Sequence, residues 1–236
     1  MFNKKFRIAT MRQVIVLAVY RKSGHLIFTE TQNIFTRKKM TIRQQVVKLI
    51  YPIMAQMGKW FGKGSGVYEN EQHIQPVISF YTLSAKANDG IFIDFSQYKG
   101  KKILLVNTAS DCGFTPQLAE LQKLQNKYKE KLVVIGFPSN DYKDQEMGSD
   151  EEIATFCTLN FNVHFALMQK SHVLKGEQQN PVFQWLTDNT KNGWNHTTPV
   201  WNFTKYLVDE NGVLTHYFDT RISPMDEKVI AAIEGK

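Results

Sequence analysis

The chain has 236 residues, 42% of them hydrophobic, enough apolar material for one buried core with an appendage, which excludes disorder along its whole length. Its net charge of +7 hints at a phosphate-rich partner, but residues 1–39 alone hold nine Lys or Arg against one acid, Glu30, and residues 40–75 hold four against two. The chain from Pro76 onward therefore carries −3, and no nucleic-acid partner is expected for it.

Residues 1–39 form a basic leader with a short apolar run, Val14 to Tyr20. Seven apolar residues cannot span a bilayer, and no clear small-residue cleavage site follows them. Three readings stay open: a transit or export leader, a dispensable extension, or a gene-model artefact with translation starting at Met40. The expected location is the cytoplasm, with membrane or export targeting by the leader as the alternative.

From Thr41 to Phe61, Ile42, Val46, Leu49, Ile50, Ile53, Met54, Met57 and Trp60 recur at helical spacing, predicting an amphipathic helix bent or interrupted near Pro52. Docking of this helix on its own domain is the favoured outcome, and a membrane surface is the alternative. GlyLysGlySerGly at 62–66 reads as a linker, so residues 40–75 are expected to be helix plus linker and the main domain to span 76–236.

Beyond Pro76, strand and helix patterns alternate. Phe80–Leu83 and Ile91–Asp94 flank an AsnAspGly hairpin turn at 88–90. Ile103–Val106 and Leu132–Phe137 are buried-strand runs, and Leu118, Leu121, Leu124 and Tyr128 mark one helix face between them. Ser149 and Glu152 form a capping box that opens another helix. Further helices are expected from Pro181 and after Pro224, with a hairpin turn at AspGluAsnGly, 209–212. This order predicts an α/β, three-layer fold that resembles thioredoxin, with an N-terminal helical extension.

Only two cysteines occur, Cys112 and Cys157, and no CxxC pair marks a zinc site, so neither metal nor other cofactor is expected. Cys112 follows a predicted strand and precedes a predicted helix. At a helix N-terminus, free N–H groups and the helix dipole lower a thiol pKa and favour the thiolate, the form that attacks peroxide oxygen. Neighbouring residues separate the relatives of this fold: a disulfide exchanger needs a second cysteine where Thr115 stands, and a peroxiredoxin ordinarily has threonine where Ala109 stands.

AsnThrAlaSerAspCysGlyPheThr at 107–115, PheProSerAsnAspTyrLysAspGlnGlu at 137–146 and TrpAsnPheThrLys at 201–205 resemble, in order and spacing, the three motifs of the glutathione peroxidase family. Cysteine stands in place of selenocysteine, and the likeness runs roughly from Phe80 to the C-terminus. The resemblance implies a catalytic tetrad of Cys112, Gln145, Trp201 and Asn202, in which three neutral donors sit beside a thiolate. Trp194 and Asn195 repeat the TrpAsn pair without the following PheThrLys and are assigned to a surface loop.

PheCysThrLeuAsnPhe at 156–161 resembles the resolving-cysteine site of the family's plant, yeast and bacterial members. The resemblance thus implies a peroxidase whose Cys112 sulfenic acid forms a disulfide with Cys157 and is recycled by thioredoxin or a similar dithiol protein. A peroxide sensor that passes the disulfide to a regulatory partner is the alternative. Ser139 replaces the family's other common cysteine, and the stretch 171–180 diverges. The short connection from Trp185 to Trp201 lacks room for the assembly loop of tetrameric members, so a monomer is expected.

Overall fold

The computed structural model describes residues 40–61 and 66–236, with 54–61 described by backbone alone. The leader 1–39 and linker residues 62–65 lie outside the described residues. Helix α1 (Ile42–Phe61) is followed by strand β1 (Val67–Glu69), the hairpin β2 (Ser84–Lys86) and β3 (Phe92–Asp94), and then β4 (Lys102–Thr108), α2 (Gln117–Lys127) and β5 (Leu132–Pro138). The chain continues through α3 (Asp150–Phe161), β6 (Ala166–Leu167), α4 (Pro181–Leu186), α5 (Asn189–Asn192), β7 (Lys205–Val208), β8 (Leu214–Phe218) and α6 (Glu227–Glu234).

Six strands form one mixed sheet in the order β1-β8-β7-β4-β5-β6. β4, β5 and β6 are parallel, whereas β7, β8 and β1 are antiparallel to their neighbours. Side-chain alternation along the central strand separates two apolar layers. Leu104 and Val106 of β4 pack with residues of α2, α3 and α6, while Ile103 and Leu105 pack with α4 and with Phe80 and Phe95. Helices thus cover both faces, as a nearly continuous apolar strand requires. The fold is α/β and thioredoxin-like.

Local chemistry explains most elements. Ser149 accepts the Glu152 N–H at 3.3 Å and Glu152 accepts the Ser149 N–H at 3.0 Å, closing the expected capping box on α3. Asp209 accepts N–H groups from Asn211 and Val213, and Gly212 takes φ +85° at the β7–β8 turn. Four expectations differ. Phe80–Thr82 is a 3-10 turn capped by Ser79, and the hairpin begins two residues later, because Phe80 is needed as a core plug against Phe95 and Trp185. The sheet begins at β1, upstream of the expected domain start at residue 76. Of the two outcomes expected at Pro52, interruption does not occur: α1 runs from Ile42 to Phe61 and loses one ladder N–H there. Finally, α1 docks on its own domain as expected, but through Gln44, Lys48 and Tyr51 and not through its apolar stripe.

Candidate active site

Strand direction brings the three motifs to one edge of the sheet. β4 and β5 end side by side, Thr108 opposite Pro138, and β7 starts at Lys205 opposite Val106 of its antiparallel neighbour. The loops leaving β4 and β5 and the turn entering β7 therefore share an edge, and they carry Cys112, Gln145, Trp201 and Asn202.

Cys112 sits in a tight turn over 110–116, five residues before α2 starts at Gln117. Thr115 holds that turn from inside: its hydroxyl accepts the Cys112 N–H at 3.0 Å and lies 2.9 Å from the Ala109 carbonyl as donor. The Phe114 N–H then points at the sulfur, 3.4 Å away. The Trp201 and Asn202 side chains lie near enough to the sulfur to favour its ionised form. Asn202 in addition donates from Nδ2 to Gln145 Oε1 at 3.0 Å, and the Gln145 carbonyl accepts the Asp111 N–H at 3.0 Å. The four expected residues are thus linked into one cluster around Cys112.

Burial pushes the Cys112 thiol above its ordinary value; the Phe114 N–H, Trp201 and Asn202 pull it back, and the Asp111 carboxylate raises it again. This corrects the expectation of a lowered pKa. Cys112 is only 4% exposed and belongs to the apolar layer that holds Leu118 and Phe156, so leaving water costs the thiolate more than its neutral donor neighbours return. Iodoacetamide labelling of Cys112 in the reduced protein is therefore expected to keep rising above pH ~8.5, where a free thiol is half ionised. Asn202→Ala removes a donor and should move the profile to still higher pH. A labelling profile that saturates below the free-thiol midpoint would contradict this arrangement.

Several further residues, to which sequence alone assigns no role, hold this cluster in place. Asn107, fully buried in β4, donates from Nδ2 to the Trp201 carbonyl at 3.1 Å, and its Oδ1 accepts the Thr204 N–H at 3.0 Å. Its own carbonyl accepts the Phe203 N–H at 2.6 Å. These bonds enforce a left-handed Phe203, φ +69°, a costly conformation for an aromatic residue and one that turns Trp201 and Asn202 toward Cys112. Tyr142 donates its hydroxyl to the Pro199 carbonyl and lays its ring 5.1 Å from Trp201. Lys205, fully buried, donates to the Ile222 carbonyl at 2.5 Å, and burial pushes its ammonium down to about 7 against the pull of Glu120, Asp219 and Asp226. The turn it anchors carries Thr220, whose hydroxyl donates to the Asn202 carbonyl. Asn107, Thr115, Tyr142 and Lys205 all lie inside the three motifs, and that membership was the available signal.

The second TrpAsn pair corrects the surface assignment. It lies in a loop, but Asn195 is 2% exposed; its Nδ2 donates to the Leu186 carbonyl at 2.7 Å, and Trp194 Nε1 donates to the Leu214 carbonyl at 2.6 Å. Its polar groups are spent on the backbone, away from the cysteine. Cys157 lies in α3 and is 2% exposed. Burial pushes its thiol up, and the Glu146 carboxylate adds to the effect. Both cysteines are free and share one apolar layer.

Among known proteins, the family model described as glutathione peroxidase matches residues 80–187. A "Glutathione peroxidase" of Lactococcus lactis is 40% identical over 155 residues, 64% of this chain and 98% of the relative. A "Glutathione peroxidase-like peroxiredoxin 2" of Saccharomyces cerevisiae is 42% identical over 154 residues, 64% of this chain and 94% of the relative. The crystal structure of Trgpx in apo form superposes with a TM-score of 0.51 at 32% identity, covering 67% of this chain and 97% of that one.

Proposed function

The chain belongs to the glutathione peroxidase family and is a thiol peroxidase, and we propose that it reduces hydroperoxides through Cys112 and is recycled through Cys157 by a dithiol protein of the thioredoxin type. The observation that carries this reading is a buried Cys112 whose sulfur accepts the Phe114 N–H, with Trp201 and Asn202 beside it and Gln145 bonded to Asn202. Donors preorganised in a site shielded from water stabilise charge where it develops and need no reorganisation during reaction.

In the first step the sulfur attacks the outer peroxide oxygen. The O–O bond breaks, its electron pair passes to the inner oxygen, and the thiol proton ends there as water or alcohol. Cys112 becomes a sulfenic acid, oxidised by two electrons. Trp201, Asn202 and Gln145 are the groups suited to hold the departing oxygen. In the second step the Cys157 sulfur attacks Cys112, the S–O bond breaks, and hydroxide leaves with the Cys157 proton as water. A disulfide requires Cα atoms within roughly 7 Å, and loosening of α3, in which Cys157 is buried, is the movement that would give its sulfur access to Cys112. An incoming dithiol reduces the resulting disulfide and releases itself by closing its own ring, whereas glutathione needs two encounters.

The test is intact-mass analysis together with coupled turnover. One equivalent of hydrogen peroxide should remove two hydrogens and give a peptide linking Cys112 to Cys157. Thioredoxin at micromolar concentration should then sustain NADPH oxidation, with glutathione at millimolar concentration a poor substitute. Faster turnover on glutathione, or an unlinked Cys157, would overturn its role as resolving thiol.

A further inference from the structure

α1 touches the active-site region with one face and leaves the opposite face uncovered by any described residue. On the inner face, Gln44 donates to the Ser110 carbonyl at 3.0 Å, Lys48 donates to the Asn160 carbonyl at 2.9 Å, and the Tyr51 hydroxyl donates to Glu120 at 3.2 Å. On the outer face, Ile42, Val46, Leu49, Ile50 and Ile53 are 81, 49, 79, 39 and 63% exposed. At 3.6 residues per turn these five positions fall within an arc of about 100°, the width of a buried stripe. A helix that had only its own domain to cover would turn this stripe inward; here polar residues and one tyrosine do the docking.

Charge indicates what the stripe meets. α1 contains no acid and carries Arg43, Lys48 and Lys59. Upstream of Glu69 the whole chain has thirteen Lys or Arg and one acid. An apolar stripe attached to a strongly basic, acid-poor segment is complementary to an anionic lipid surface, where apolar burial and attraction to the headgroups add. No helix among the described residues is long and apolar enough to cross a membrane, so the geometry is that of a helix lying in the interface.

We propose that the outer face of α1 docks this protein on an anionic bilayer surface. Ile42, Val46, Leu49, Ile50 and Ile53 enter the boundary between headgroups and acyl chains, and the basic N-terminal residues add long-range attraction. Because Gln44 bonds Ser110 and Arg43 pairs with Asp111 at 3.4 Å, docking would carry the nucleophile turn along beside the membrane.

The experiment uses the full chain and vesicles of phosphatidylcholine with or without phosphatidylserine, read by cosedimentation without peroxide present. Wild type should bind the phosphatidylserine vesicles, weakly the neutral ones, and less as salt rises. The double substitution Leu49→Glu with Ile53→Glu leaves every leader charge in place and should weaken binding by about tenfold or more. Its hydrogen peroxide turnover and thermal midpoint should match wild type, since both side chains face outward. Leu49→Gln, a milder change, should give a smaller loss in the same direction. No binding to phosphatidylserine vesicles would overturn the proposal. So would undiminished binding of the double variant, which would assign the effect to the leader alone. A dimer that the double variant splits, in a protein that ignores vesicles, would assign the stripe to a second copy of the chain.

Discussion

Replacing Cys112 with serine is expected to reduce peroxide consumption to the uncatalysed background while the protein stays folded. The hydroxyl is smaller than the thiol and can accept the same Phe114 N–H, so the turn held by Thr115 has no reason to open. What is lost is nucleophilicity, because an alcohol in this buried position neither ionises nor attacks peroxide oxygen. Cys157→Ser should behave differently. The first step needs only Cys112 and its donors, so this variant should consume about one equivalent at the wild-type rate and then stall as sulfenic or over-oxidised Cys112. Stopped-flow peroxide consumption with intact-mass analysis separates the two outcomes. A first turnover in Cys112→Ser as fast as in wild type would remove Cys112 from the mechanism.

The contrast between these thiols was legible in the sequence only in part. Cys112, Gln145, Trp201 and Asn202 could be named from motif order, and the sheet brings them together because β4 and β5 end where β7 begins. The capping box of α3 and the β7–β8 turn were readable because their chemistry is local, within three or four residues. Burial is not local. Nothing near Cys112 in the chain says that the residue is 4% exposed, so the helix that follows suggests a lowered pKa while the apolar layer around the thiol raises it. The same blindness placed Asn195 on the surface, since its partners at Leu186 and Thr197 satisfy a polar side chain inside the fold. For α1, periodicity identified the stripe correctly, but which face meets the domain depends on Ser110, Asn160 and Glu120, more than sixty residues away.

The two TrpAsn pairs should separate catalysis from stability. Asn202 is fully buried, yet its Oδ1 finds no hydrogen-bond partner among the described residues. Its Nδ2 donates to Gln145 Oε1 at 3.0 Å, and the side chain lies beside the cysteine. Removing it takes away the group that links Gln145 to the nucleophile. Asn202→Ala should slow the peroxide step by about tenfold or more, the scale expected when one preorganised donor is lost. Asn195 is the reverse case. Its Nδ2 serves the Leu186 carbonyl, its Oδ1 accepts the Thr197 N–H at 3.2 Å, and neither atom points toward Cys112 chemistry. Asn195→Ala strands those backbone groups at a cost of about 1–3 kcal/mol, which for a domain of this size lowers the midpoint by roughly 2–4 °C per kcal/mol. Its peroxide step should stay near the wild-type rate. Measuring single-turnover peroxide reduction beside thermal melts on both variants decides the matter. A larger rate loss at Asn195 than at Asn202 would mean that the donor pair beside the nucleophile has been misidentified.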